Sequence, residues 1–191
     1  ELMDRVHQAV DTGRYDAIVI QGFLDPVLLD AREVSPIPVL GCGESSYHLA
    51  SLLGHRFSII DTLECMAIML RQRVEMYGLG KKLASVRSVE YIPIDVMEGH
   101  GDRVEKLDAM EDQCLKAIEE DGADTIILGC SCLSWMEPEM KERLRERGYD
   151  APLIVPIRAA VSFARVLVTM GMRHSPLAYP PPIPKPLAIV R

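Results

Sequence analysis

The sequence predicts an α/β fold in which parallel sheets are covered by helices on both faces. Short apolar runs of strand length alternate with amphipathic stretches of helix length along most of the 191 residues. The short runs are apolar at nearly every position, a pattern typical of parallel strands that are buried on both faces. An early segment of the chain also resembles a later one, which indicates two related halves.

Six apolar runs are predicted to be strands, because charged residues, glycine or proline bound them. In chain order they are residues 17–20, 38–40, 57–60, 84–89, 125–128 and 152–155. Five amphipathic stretches show helical spacing, and Tyr77-Gly78 and Arg147-Gly148 supply stop signals. These predicted helices are residues 45–53, 63–77, 103–120, 137–147 and 157–170.

The internal repeat aligns residues 17–23 (AIVIQGF) with residues 125–131 (TIILGCS), so that Gly22 falls opposite Cys130. The strand and helix that follow each segment match as well. This repeat predicts two pseudo-symmetric, flavodoxin-like halves. The second half begins with two strands that have no counterpart before residue 17. We therefore expect a β-α-β stretch of about 45 residues to be missing ahead of Glu1, and Glu1 to lie inside a helix.

The expected domain organisation follows from the repeat. Residues 1–56 form the remainder of the first half, and the helix at residues 157–171 is expected to pack back onto it. Residues 57–175 form the second half. Residues 176–191 are rich in proline and are expected to extend over the surface or onto a partner chain.

Composition argues against several classes of function. With 21 basic and 28 acidic residues the formal net charge is -7, which argues against a nucleic-acid partner. No apolar run reaches the roughly 18 residues of a membrane span, so we expect no membrane partner. The five cysteines are an odd number without paired CxxC spacing, and the histidines are scattered. We therefore expect a cytoplasmic protein without a metal site.

Cys130 is the residue predicted to carry the chemistry. In a parallel α/β sheet ligands bind beyond the carboxyl ends of the strands, and Cys130 comes directly after such an end. The preceding Gly129 permits a tight turn, and the N–H groups of Ser131 and Cys132 are placed to bind a carboxylate or enolate oxygen. Such dipoles also favour the thiolate, which is the form that a basic cysteine needs.

Other interpretations of the cysteines remain open at this point. Free cysteine is among the most buried residue types, so a cysteine after an apolar strand is more often a packing residue than a catalytic one. Cys65 and Cys114 fall within helical patterns, which favours packing roles. Cys42 also ends a strand and precedes a helix, and it is therefore the candidate for a second acid or base.

Two sets of short segments resemble one known family. In the first half they are residues 15–20 (YDAIVI), Phe23, Asp25-Pro26, Pro38-Val39 and Gly43-Glu44. In the second half they are residues 57–63 (FSIIDTL), 77–79 (YGL), 83–87 (LASVR) and 121–130 (DGADTIILGC). These segments resemble the aspartate/glutamate/hydantoin racemase superfamily, and hydantoin racemase most closely. The resemblance extends from Tyr15 to the region of Arg173.

The resemblance implies a cofactor-independent racemase with two cysteines. One thiolate removes the proton α to a carbonyl while the second thiol, on the opposite face, donates one. It assigns Cys130 as the second of these cysteines, but at the position of the first this chain has Gly22. A general acid or base contributes about 10²–10⁴-fold to the rate, so this departure bears directly on racemisation.

Three functions are consistent with the departure at Gly22. The first is a racemase that uses Cys42 or a water molecule as the missing partner. The second is a single-cysteine decarboxylase or isomerase similar to the arylmalonate decarboxylases, which also have glycine at the first position. The third is a relative that binds a ligand without turnover. The expected partner is a small carboxylate or hydantoin substrate, and the resemblance implies a homo-oligomer.

Further residues near the predicted strand ends are expected to bind the substrate. They are Gly22, Phe23, Ser45, Thr62, Ser131 and Cys132. Thr62 and Ser45 also stand where helices begin, so simple helix N-caps fit the sequence equally well. Cys132 fits a packing role in the same way.

Overall fold

The computed structural model describes residues 1–91, 93 and 102–183, and it has the predicted α/β fold with parallel sheets. The first sheet pairs β1 (Ile18–Ile20) with β2 (Val39–Gly41). The second sheet has the strand order β4-β3-β5-β6. Its strands are β3 (Phe57–Asp61), β4 (Leu83–Ser88), β5 (Thr125–Leu128) and β6 (Leu153–Ile154). All pairs in both sheets are parallel.

Each predicted strand is present, and its ends lie within one residue of the prediction. The shortest is β6, in which only Leu153 and Ile154 pair with β5. Val155 keeps an extended conformation but serves as the N-cap of a helix that begins at Pro156. Proline at the first helical position has no N–H to donate to a sheet and its fixed φ suits a helix, so the strand ends there.

Seven α-helices are found in the described part of the chain. They are α1 (Leu2–Thr12), α2 (Leu28–Val34), α3 (Cys42–Leu53), α4 (Ala67–Met76), α5 (Arg103–Glu119), α6 (Glu137–Glu146) and α7 (Pro156–Thr169). Short 3-10 helices at Glu64–Met66, Gly80–Lys82 and Ser131–Met136 connect them to strands or to other helices. The sequence patterns missed α2 and predicted too late a start for α3. Helix α1 begins at Leu2, and the Glu1 carbonyl accepts the N–H of Arg5 at 3.2 Å.

The core lies on both faces of the four-stranded sheet, and the alternation along β5 divides it. Ile126 and Leu128 pack on one face with residues of α5 and α6, such as Met110 and Met140. Ile127 packs on the other face with residues of α3 and α4. Burying a side chain of this size stabilises the fold by about 1.5–3 kcal/mol. Because helices cover both faces, the central strands β3 and β5 are fixed side by side, and their carboxyl ends lie next to each other.

Helix α7 contacts the first sheet through small side chains. Ala160 and Ala164 pack against Leu40 and Cys42, the residues at the end of β2 and the start of α3. Alanines at positions i and i+4 lie on one face of a helix, and their small size permits a close approach of the helix to its neighbours. Cys42 therefore lies beneath α7.

The segment after α7 crosses the edge of the first sheet. Nε2 of His174 accepts a hydrogen bond from the N–H of Val39 at 2.8 Å. The hydroxyl of Tyr179 accepts one from Arg32 at 3.2 Å, and the Arg32 guanidinium also pairs with Glu44. Up to residue 183 the proline-rich segment thus lies over the surface of its own chain. Residues 184–191 of the predicted tail lie outside the described residues.

No helix among residues 1–91, 93 and 102–183 is long and apolar enough to span a lipid bilayer.

Candidate active site

The carboxyl ends of β3 and β5 lie side by side, because Ile60 of β3 is in register with Leu128 of β5. The next residue of the β5 chain, Gly129, donates its N–H to the carbonyl of Ile60 at 2.7 Å. A Cβ atom on Gly129 would come within 2.7 Å of the Asp61 carboxylate. Glycine is therefore required here for Asp61 and the chain leading into Cys130 to fit together.

Cys130 follows Gly129 in an extended conformation and is the N-cap of the 3-10 helix Ser131–Met136. Its side chain is partly exposed, whereas Cys132 is buried. The Cys132 thiol donates a hydrogen bond to the sulfur of Cys130, and the two Sγ atoms are 2.8 Å apart. All five cysteines of the chain are free thiols.

The surroundings of Cys130 favour its thiolate. Hydrogen bonds from the Cys132 thiol and from the Cys132 N–H lower the pKa of Cys130 from 9.0 to about 7. Burial and the negative charge of Asp61 act in the opposite direction and are outweighed. The same thiol pairing raises the pKa of Cys132, so that Cys132 stays protonated as the donor. At neutral pH a substantial fraction of Cys130 is therefore nucleophilic and basic.

Asp61 is a buried carboxylate at the end of β3 whose hydrogen bonds are local. It accepts the Thr62 N–H at 2.6 Å and the Thr62 hydroxyl at 3.0 Å. Burial raises the pKa of the Asp61 carboxyl, and the hydrogen bonds from Thr62 oppose part of that rise. Both donors of Thr62, a predicted substrate-binding residue, are thus directed at Asp61.

A second buried carboxylate, Asp25, lies beyond the end of β1 and caps α3. It accepts the N–H groups of Gly43 at 2.8 Å and Glu44 at 2.7 Å, and the Tyr77 hydroxyl at 2.9 Å. Burial raises the pKa of the Asp25 carboxyl, while these three hydrogen bonds lower it. Because Asp25 satisfies the first N–H groups of the helix, α3 begins at Cys42, three residues before the predicted start.

Cys42, the candidate second acid or base, lies in a different environment from Cys130. Its side chain is only 3% exposed and packs against Leu40, Ala160 and Ala164. Burial and the charge of Asp25 raise the pKa of the Cys42 thiol to about 11, against a hydrogen bond from a backbone N–H. Cys42 is thus a protonated, buried thiol at neutral pH, and its role in proton transfer stays a prediction.

The remaining predicted residues divide between the two sheets. Gly22 is half-buried and begins a turn whose last N–H, that of Asp25, donates to the Gly22 carbonyl at 2.9 Å. The Phe23 ring packs edge-on against Tyr47, with ring centroids 5.4 Å apart. Ser45 is buried, and its hydroxyl has no partner among the described residues. Ser131 is exposed beside Cys130.

The structure therefore brings Cys130, Ser131 and Cys132 together with Asp61 and Thr62 at the end of the second sheet. It brings Gly22, Phe23, Cys42 and Ser45 together at the end of the first. Tyr77, which follows α4, contacts Asp25 beside the group at the first sheet.

Sequence reasoning missed the capping by Asp25 and the contact that Tyr77 makes. Asp25 entered only through the segment Asp25-Pro26, and Tyr77 only as part of a helix stop signal and of a resembling segment. A capping signal was present in principle, since aspartate favours helix N-termini. Asp25, however, lies 18 residues before Gly43 in the sequence, whereas an ordinary N-cap residue directly precedes its helix.

No cluster of three or more histidine, cysteine, aspartate or glutamate side chains in the described part of the chain has the geometry to hold a metal ion.

These features define a class: an α/β protein with an activated thiol at the carboxyl edge of a parallel sheet. A family model described as Asp/Glu/Hydantoin racemase matches residues 1–164, and the chain belongs to that family.

Relatives with curated names agree with this membership. The hydantoin racemase of Pseudomonas sp. (strain NS671) is 34% identical over 162 residues, which cover 85% of this chain and 62% of the relative. The hydantoin racemase of Paenarthrobacter aurescens is 30% identical over 174 residues, covering 91% of this chain and 70% of the relative. The chain thus spans 62% of the length of the first of these relatives.

Solved structures resemble this chain over nearly its whole length. The allantoin racemase from Klebsiella pneumoniae has a TM-score of 0.85 and 29% identity, covering 98% of this chain and 73% of that protein. The allantoin racemase from Pseudomonas fluorescens has a TM-score of 0.82 and 26% identity, covering 96% and 79%. Arylmalonate decarboxylase shares the fold, with a TM-score of 0.59 and 16% identity over 87% of this chain and 74% of its own.

Proposed function

We propose that this chain is a cofactor-independent racemase of the hydantoin type, with Cys130 as the acid/base that transfers a proton at the carbon α to a carbonyl. The observation that carries the proposal is the partly exposed Cys130 sulfur at the end of β5, whose pKa is lowered to about 7. A base with a pKa near the working pH combines a high ionised fraction with a useful driving force for proton transfer. Family membership and the names of the relatives support the reaction type.

The reaction begins when the Cys130 thiolate takes the proton from the α carbon. The bonding electrons of the carbon–hydrogen bond pass to the carbonyl, and negative charge develops on its oxygen. Ser131, exposed at the first position of the 3-10 helix, offers a hydroxyl and the start of a helix to that oxygen. The carbon is then planar, and protonation on the opposite face inverts it.

The opposite face needs a proton donor, and Gly22 supplies no side chain. Two donors are candidates: the Cys42 thiol, whose sulfur accepts a hydrogen bond from the backbone N–H of Gly22, and a water molecule. The pKa of Cys42, about 11, keeps that thiol protonated and suits it to the role of acid. Its burial beneath α7 favours the water molecule instead.

An uncharged ring fits this site better than a dicarboxylate. Asp25 and Asp61 are both buried, and the charge of each raises the pKa of the cysteine beside it. A doubly anionic substrate would meet the same repulsion, because charges interact strongly where water is excluded. Racemases of hydantoin and allantoin among the relatives act on ring compounds by name, which supports a hydantoin-type substrate.

The proposal is tested by following deuterium incorporation from D₂O at the α carbon of a single hydantoin enantiomer, together with optical rotation. Cys130→Ser should lower exchange by about 10²–10⁴-fold, because serine is a far weaker acid and base. Cys65→Ser is the matched control, since Cys65 is an exposed free thiol on the 3-10 helix Glu64–Met66. Unchanged exchange in Cys130→Ser would exclude Cys130 as the base.

The donor on the opposite face is identified by Cys42→Ala. If Cys42 is the donor, the variant still exchanges deuterium with retention but no longer racemises. If water is the donor, racemisation and exchange fall together by a small factor at most.

A second candidate function rests on Gly22. A site with one cysteine and a glycine opposite suits a decarboxylase, in which loss of CO₂ generates the enediolate and Cys130 then protonates it. Release of CO₂ from an arylmalonate, with no exchange on hydantoins, would favour this function. A ligand-induced rise in melting temperature without any turnover would favour a binding protein.

The oligomeric state, the cellular location and the internal repeat are part of the same proposal. We infer a homo-oligomer in the cytoplasm and a chain built from two pseudo-symmetric halves. In support of the second inference, β1 pairs with β2 in parallel as β5 pairs with β6, and a helix follows β2 and β6 alike. Light scattering after size-exclusion chromatography measures the mass of the assembly, which should be a multiple of the mass of one chain.

A further inference from the structure

The hydrogen bond that favours the Cys130 thiolate comes from a second thiol, although a hydroxyl or an amide would also serve as donor. The sulfurs of Cys132 and Cys130 are 2.8 Å apart. No other pair of cysteine sulfurs among the described residues makes such a contact. Cys114 is enclosed in the core, and Cys65 lies exposed on the 3-10 helix Glu64–Met66.

The backbone explains why residues two positions apart meet. Cys130 is extended, and the 3-10 helix begins at Ser131, so the chain bends sharply between the two thiols. Side chains two apart in a strand share a face, and the bend shortens the distance between them. The pair is also asymmetric: Cys130 is partly exposed, while Cys132 is 6% exposed. A soluble oxidant therefore reaches Cys130 first.

We propose that Cys130 and Cys132 are a redox modification site, in which a hydroperoxide oxidises Cys130 and Cys132 then closes a reversible disulfide. The Cys130 thiolate attacks one peroxide oxygen, the O–O bond breaks, and Cys130 becomes a sulfenic acid while the other oxygen leaves as an alcohol or water. The Cys132 sulfur then attacks the Cys130 sulfur. The S–S bond forms, the S–O bond breaks, and the hydroxyl leaves as water with the Cys132 proton.

The two electrons that reduce the peroxide come from the two thiols, so no further reactant is needed. Closure competes with overoxidation, because a sulfenic acid that meets a thiol forms a disulfide before a second peroxide arrives. The disulfide removes the thiolate that the proposed racemase uses. Loss of activity on oxidation therefore rests on the proposed function, whereas the formation of the disulfide does not.

The experiment uses the whole reduced chain and hydrogen peroxide, followed by alkylation in denaturant and digestion with trypsin. The tryptic peptide of residues 117–141 contains Cys130 and Cys132 and no other cysteine. We expect this peptide to become lighter by two hydrogen atoms and to resist alkylation, and dithiothreitol to reverse both changes. A peptide that gains oxygen while Cys132 is alkylated, or a disulfide that joins other cysteines, would overturn the proposal.

Variants distinguish the role of Cys130 in oxidation from that of Cys132. In Cys132→Ser we expect Cys130 to take up two oxygens as a sulfinic acid that dithiothreitol does not reverse. Cys65→Ser should oxidise like the unmodified chain. If Cys132→Ser does not fold, Cys132→Ala and the peptide from the unmodified chain still show whether Cys132 closes the disulfide. Reversible oxidation that reaches completion in Cys132→Ser would contradict the role of Cys132.

Activity distinguishes the failure of this proposal from the failure of the proposed function. If the disulfide forms but the reduced chain has no exchange activity, the proposed function fails and the redox site stands. If the reduced chain is active and peroxide adds only oxygen, the redox site fails and the proposed function stands.

Discussion

The ends of β2 and β5 present the same short sequence, a glycine followed by a cysteine, but give the two thiols opposite character. In both cases the glycine makes room for a buried aspartate: a Cβ atom on Gly41 would collide with Asp25, and one on Gly129 with Asp61. Both aspartates raise the pKa of the nearby thiol. Nevertheless the pKa of Cys42 is about 11 and that of Cys130 about 7.

The difference comes from the hydrogen-bond donors around each sulfur, because burial raises the pKa of both thiols. Alanines of α7 cover Cys42, and one backbone N–H is its main polar contact. Cys130 remains partly exposed and receives hydrogen bonds from both the thiol and the N–H of Cys132. A thiol's position at a strand end therefore does not by itself lower its pKa. Donors that stabilise the thiolate do, and here they come from a residue two positions away.

Alkylation rates should give the largest contrast between the two thiols. At pH 7 about half of Cys130 is ionised, whereas a thiol with a pKa of about 11 is ionised at roughly one part in 10⁴. We expect iodoacetamide to modify Cys130 at least about 10³-fold faster than Cys42, as measured by peptide mass spectrometry of the native chain. Similar alkylation rates for Cys42 and Cys130 would contradict the difference between their pKa values.

A thiol placed at residue 22 would restore the pair of cysteines that the family resemblance implies, and it tests whether a proton donor is missing opposite Cys130. We expect Gly22→Cys to raise the racemisation of a hydantoin by about 10²-fold, since a positioned acid on the missing face contributes at least that much. A Cβ atom at this position would lie 2.8 Å from Cδ of Pro26, so some movement of Pro26 is required. Gly22→Ala introduces the same Cβ without a thiol and should leave the rate unchanged, and an equal gain in both variants would refute this explanation.

The pH dependence of α-proton exchange should report the donors around Cys130. Because the thiolate is the base, exchange should rise as the pH passes through about 7 and then level off. In Cys132→Ala the thiol donor is lost, so the midpoint should move to higher pH. The rate below pH 7 should then fall about tenfold for every pH unit by which the midpoint rises. Cys114→Ala changes a cysteine buried on α5 and serves as the control. An unmoved midpoint in Cys132→Ala would assign the lowered pKa to another cause.

The smallest expected effect concerns the contact between Tyr77 and Asp25. Tyr77→Phe removes one hydrogen bond to a buried carboxylate and should lower the free energy of unfolding by about 1–2 kcal/mol in urea titrations. Tyr149→Phe also removes a phenol-to-carboxylate hydrogen bond, with Glu119, but at the protein surface. Tyr149→Phe should therefore have less effect on unfolding. If the order were reversed, the contact of Tyr77 would not be a significant link between α4 and Asp25.

Much of the fold was accessible from the sequence because its cause is local. Strands such as residues 125–128 are apolar at nearly every position, and their alternation places successive side chains on opposite faces of the sheet. The strand ends then follow, and with them the position of Cys130. Helix α2 was missed because it is short, and its seven residues, Leu28–Val34, carry too few turns for a clear periodicity.

Two features of the candidate site depended on contacts between distant parts of the chain. The start of α3 is set by the Asp25 carboxylate, and the burial of Cys42 is set by Ala160 and Ala164 of α7. Neither partner is near its target in sequence. A local pattern therefore predicted the wrong start for α3, and it treated Cys42 as comparable to Cys130.

The sequence alone determined the order of the strands along the chain, the placement of a cysteine after β5, and the presence of a glycine at residue 22. These depend on apolar periodicity and on residue identity, which are written along the chain. Only the tertiary structure decided which thiol is ionised near neutral pH. A pKa depends on which groups lie within a few ångströms of a sulfur and on how much water reaches it, and folding sets both.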